Sequence, residues 1–135
     1  MRDILLLSHI IIGLALIVLP IVILLYLKDR SLSKMLAVVT MALSWILLYP
    51  AGKLYMTFYP ATKNVIKAGG WPWAHDILME TKEHWGILIP IIATVAAGLV
   101  LTGKSKESKK WWVLLLVVAA LLGIFGRIIK IGALR

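Results

Sequence analysis

Residues 4–27 read ILLLSHIIIGLALIVLPIVILLYL, and this stretch decides the fold. It carries no charge, and its only polar side chains are Ser8, His9 and Tyr26. A helix rising 1.5 Å per residue needs about 20 apolar residues to cross a hydrocarbon core, so the run is long enough to span one. It exceeds the roughly 7–15 residues of a signal-peptide apolar region and lacks a small-residue cleavage site, so it reads as a retained helix.

Three more apolar runs follow. Residues 35–59 are broken only by Lys53 and carry Pro50; the uncharged 85–102 marks a third span, about 77–102; and 111–126 marks a fourth, about 110–131, that runs into Arg127 and Lys130. Short connections favour neighbouring antiparallel helices. The expectation is an all-α membrane protein of 135 residues with one domain, a four-transmembrane-helix up-down-up-down bundle in which helices one and three are diagonal. The hydrophobic fraction of 61% agrees, because soluble domains sit near 45–50%. With no Cys there is neither a disulfide framework nor a thiolate metal or iron–sulfur site.

The net charge of +9 would suggest nucleic acid in a soluble protein. Here the cations gather in loops and at helix ends, leaving no free basic domain, so the partner is the lipid bilayer and no nucleic acid is expected. The segments KDRSLSK (28–34) and GKSKESKK (103–110) hold Lys28, Arg30, Lys34, Lys104, Lys106, Lys109 and Lys110 against only Asp29 and Glu107. The positive-inside rule puts this basic end in the cytoplasm of a multi-pass cell-membrane protein, with both termini and the segment 60–74 outside. That outer segment is read as a loop. Its Gly69-Gly70-Trp71-Pro72-Trp73, together with Tyr55, Phe58, Tyr59 and Trp85, reads as an interfacial aromatic belt.

Ionisable residues at membrane depth are costly and are candidates for function. His9 lies about 8 Å inside the first span, and His84 about 12 Å along the third if that helix starts near Asp76. Both helices descend from the same side, so the two imidazoles are expected at one depth on opposite walls. Such a pair suits axial ligation of a haem iron. Lys53, Arg127 and Lys130 would meet the propionates, although each can equally snorkel to headgroups. Gly13, one turn after His9, would let a macrocycle approach, or serve as a packing seam with Gly98, Gly123 and Gly126. No C-x-x-C-H motif is present, so a haem would be non-covalent and b-type, one per chain.

A second constellation competes. Asp76, Glu80, Glu83 and His84 share a helical stripe, and His9, Glu80 and His84 offer donors for a single Zn²⁺ or Fe²⁺. In the haem reading, Glu80 or Glu83 would instead accept a proton from a quinol. His75, beside Trp73, reads as interfacial. Ser8 next to His9 has no motif context, and no activated Ser or Cys constellation marks a hydrolase.

The layout resembles small four-helix membrane b-type cytochromes, including quinone-linked cytochrome b subunits. The residues carrying the resemblance are His9 with Gly13, His84, and the cationic Lys53 and Arg127. The resemblance implies electron exchange between the quinone pool and an outer-face redox partner. Only one His pair is available, where many relatives carry two haems. Other readings of the same residues are a metal- or proton-linked transporter and a non-catalytic subunit of a larger complex, with self-association open in each case.

Overall fold

The computed structural model describes residues 1–135, and the chain is helical throughout with no strand. Helix α1 runs Arg2–Leu25 and α2 runs Arg30–Lys53. A π-helical turn, Leu54–Phe58, continues α2 into α3, Tyr59–Ala68. After the Gly69-Gly70-Trp71-Pro72-Trp73 link, a second π-helical segment, Ala74–Met79, leads into α4, Glu80–Gly86. Helix α5 follows at Leu88–Leu101, and α6 at Ser105–Gly132. Four helical stretches, Arg2–Leu25, Arg30–Ala68, Ala74–Leu101 and Ser105–Gly132, are long and apolar enough to cross a membrane.

The segment expected as an outer loop is therefore mostly helix. Pro60 sits in the first turn of α3, where its missing N–H costs nothing, so it does not break the helix. The tight turns lie at the basic end. Asp29 caps α2, its carboxylate accepting from the Leu32 N–H at 3.0 Å. Gly103, at φ +80°, closes α5: its N–H reaches the Val100 carbonyl and the Lys104 N–H that of Leu99, a Schellman arrangement.

Helix α1 packs on α2, α2 on α5, α5 on α6, and α6 back on α1. The buried positions repeat at helical spacing: Leu16, Pro20 and Ile23 on α1; Ile89, Ala93, Ala96 and Val100 on α5; Trp112, Leu115 and Leu122 on α6. Helix α2 turns Ser33, Ala37, Thr40 and Ser44 inward. Their hydroxyls donate to carbonyls of their own helix, Thr40 to Leu36 at 2.7 Å and Ser44 to Met41 at 2.6 Å, so they form a satisfied packing seam rather than a site. Trp45 Nε1 donates to Thr94 Oγ1 at 2.9 Å, tying α2 to α5.

Large apolar side chains also cover the outside of the bundle. Ile10, Leu14 and Val18 on α1, Ile46 on α2, Ile91 on α5 and Val117 on α6 are all exposed. A water-soluble protein rarely leaves so continuous an apolar surface bare, whereas lipid tails solvate it at no cost.

Candidate functional site

The end opposite the basic turns carries a second small core, Ile66, Ala74 and Ile129, with Tyr59, Trp71 and Met79 packed around it. Here α3 and the second π segment fold against the end of α6. Backbone approaches are close: a Cβ on Gly132 would stand 3.0 Å from the Ala74 Cβ, and one on Gly69 would stand 3.2 Å from the Val65 carbonyl oxygen. The Arg135 guanidinium lies 5.7 Å from the Trp71 ring centroid.

Within this end a polar chain has formed. His75 is only 2% exposed. Its Nδ1 is 2.9 Å from the Tyr59 hydroxyl, and its Nε2 is 3.9 Å from Glu80 Oε1. A neutral imidazole has one N–H; with that proton on Nε2, facing the carboxylate, Nδ1 accepts from the Tyr59 hydroxyl. The gap to Glu80 is one that a water molecule or a small carboxylate rotation bridges. The Tyr59 ring stacks on Tyr55 at 5.5 Å, and the Tyr55 hydroxyl faces the Glu83 carboxylate. Asp76 turns the other way and pairs with Lys67 on α3 at 3.7 Å.

The π segment is the cause of this register. His75 and Glu80 are five residues apart, which an ordinary α-helix places on different faces. A π turn bonds i to i+5 and stacks them, and such turns are frequent at functional sites. Both π turns in the chain contribute to the site, one supplying Tyr55 and the other His75 and Asp76.

These positions add to the sequence reading. His75 is buried at the centre of the cluster, and Tyr59, expected in the aromatic belt, also bonds it. The carboxylate stripe is broken up: Asp76 goes to Lys67, Glu80 to His75 and Glu83 to Tyr55.

The expected haem ligands are placed differently from one another. His9 is half-buried, and its Nδ1 is fully enclosed without a hydrogen-bond partner. His84 lies on an exposed face, with its Nδ1 donating to the Glu80 carbonyl at 2.7 Å. The side chain that α4 directs toward His9 is Lys82, two residues away and so on the other side of the helix. Its Nζ reaches across to α6, 2.8 Å from where a Cβ of Gly126 would stand. Helix α4 thus brings Lys82, not His84, to His9. Lys53, Arg127 and Lys130 are exposed and make no ion pair, and Gly13 has open space beside it rather than a close neighbour. No group of three or more His or carboxylate donors could hold a metal ion, so the His9, Glu80 and His84 metal site is not assembled.

Lys82 is the residue that sequence reasoning missed. One heptad separates it from Ile89 and two from Ala96, both buried, so the small residues Ala93, Ala96 and Ala97 mark its face as the packed one. His84 falls with the exposed Leu88, Ile91 and Val95. No protein-family model, curated protein or solved structure matches the chain.

Proposed function

We propose that the chain is a membrane-spanning, up-down four-helix subunit whose outer polar layer exchanges protons with a quinol. Its basic turns lie in the cytoplasm. The observation carrying this reading is the buried His75, held between the Tyr59 hydroxyl and the Glu80 carboxylate. Glu80 is exposed and Tyr59 half-buried, so a proton accepted at the tyrosine end has a path through the imidazole to the surface. The bundle below is apolar, its core formed by residues such as Leu16, Ile92 and Leu115, so the layer serves one face rather than a transmembrane path.

Oxidation of a quinol to a quinone releases two protons and two electrons. Tyr59, His75 and Glu80 take the protons in turn, and the stacked Tyr55 and Tyr59 present an aromatic wall to the ring. This chain handles the protons alone, and the two electrons go one at a time to a haem or iron–sulfur centre of another subunit, which makes this chain the proton-handling member of a larger assembly.

Titrating a short-chain quinol, kept reduced under anaerobic conditions, into the protein in nanodiscs, read by tryptophan quenching, tests the proposal. Saturable quenching is expected, with affinity reduced about 10-fold by His75→Gln and by Tyr59→Phe, the loss of one good hydrogen bond. Equal binding by wild type and both variants would overturn it.

The cytochrome reading is the competing proposal, and the unpartnered Nδ1 of His9 is the observation in its favour. It takes His84 as the second axial ligand. An absorption spectrum before and after dithionite, with a pyridine haemochrome assay, decides it. Roughly one haem b per chain, lost in His9→Ala, would establish that reading; a colourless protein after haem reconstitution would remove it.

A further inference from the structure

The basic end carries seven cations, Lys28, Arg30, Lys34, Lys104, Lys106, Lys109 and Lys110, and none of them makes an ion pair. Of the two acids nearby, Asp29 spends its carboxylate on the α2 cap. Both ion pairs in the molecule lie at the opposite end. Two clefts open among these cations. One, of about 100 Å³, is lined by Arg30, Ser33, Lys34 and Ser105. The other, of about 370 Å³, is lined by Lys28, Lys106 and Lys109 on one side and Leu24, Leu25 and Leu27 on the other. Ser105 borders both, and neither has a carboxylate in its wall.

We propose that the larger cleft seats the headgroup of an anionic glycerophospholipid. The three lysines meet the phosphodiester, and the leucines at the end of α1 take the first methylenes of an acyl chain. The amphipathic lining selects this occupant. A free phosphate would leave Leu24, Leu25 and Leu27 uncovered, and a zwitterionic lipid would bring its own cation into an already uncompensated field. Basic pockets between membrane helices on the cytoplasmic side have the chemistry to hold acidic headgroups. The inference goes beyond the quinol reading and shares with it only membrane insertion.

Native mass spectrometry of the full chain, released from micelles doped with phosphatidylglycerol or phosphatidylcholine, tests it. Carbonate-resistant membrane association checks insertion separately, so a failure in inserted protein counts against the cleft alone. Wild type is expected to retain phosphatidylglycerol in preference to phosphatidylcholine. Each lysine near an anionic surface contributes about five-fold, so combined Lys28→Gln, Lys106→Gln and Lys109→Gln should weaken retention roughly 100-fold. The same three positions changed to Arg should keep it, and so should Lys63→Gln at the far end. Equal retention of both lipids, or undiminished retention by the Gln variant, would overturn the proposal. Displacement by millimolar inorganic phosphate as effective as by the lipid would also overturn it, because the leucine wall would then play no part.

Discussion

Lys82 carries an unpaired charge into the bundle. Its ammonium is largely buried near His9, with no carboxylate in ion-pair range. Burying an unpaired charge is unfavourable, and an apolar side chain of similar length would relieve the cost. Lys82→Met is therefore expected to raise stability by about 1 kcal/mol or more, read by thermal unfolding in detergent. A drop instead would show that the ammonium has a stabilising partner. At Tyr59 the sign reverses: Tyr59→Phe leaves the buried His75 Nδ1 unpaired, at about 1–3 kcal/mol. Tyr55→Phe, whose hydroxyl faces an exposed carboxylate, should cost less than half as much in the same measurement. If the Tyr55 variant proved the worse of the two, the polar chain would not be centred on His75.

Among the elements, the legibility of the sequence followed its physics closely. The four long helices were readable because an apolar run of this length has few other uses. Which face each helix buries was not, since a helix that is apolar all round has no polar stripe to orient it. Only the small residues Ala93, Ala96 and Ala97 gave that away, and projecting them back three and four turns would have chosen Lys82 over His84. The π turns were invisible for a different reason: a helix that gains one residue per turn keeps its composition and changes only its register. Deleting Ile77 should return Ala74–Met79 to α-helical register with His75 and Glu80 four residues apart and still on one face. Circular dichroism and quinol affinity should both change little; a loss as large as in His75→Gln would show that the π geometry itself, beyond the pairing, is needed. Glycines make a paired test of packing. Gly13→Ala enters open space and should stabilise by about 0.5–1 kcal/mol through helix propensity. Gly132→Ala meets the Ala74 Cβ at 3.0 Å and should destabilise by about 1 kcal/mol or more.

At the scale of the whole molecule, the two ends divide the labour. Seven cations crowd the two short turns at one end, and both ion pairs, both π turns and the buried imidazole occupy the other. Basic residues dense in short turns are what the positive-inside rule reads, so that end is expected in the cytoplasm. Orientation can be measured without background, since the chain has no Cys. A single cysteine at Lys106 should be shielded from an impermeant maleimide in intact cells and labelled only after lysis. A single cysteine at Lys63, on α3 at the far end, should be labelled in both. The reverse pattern would turn the protein over. It would put the Tyr59–His75–Glu80 chain on the cytoplasmic face, so that protons taken from a quinol would enter the cell rather than leave it. Labelling of both positions in intact cells would break the four-helix up-down topology itself, because the single crossing by Ala74–Leu101 is what puts Lys63 and Lys106 on opposite sides.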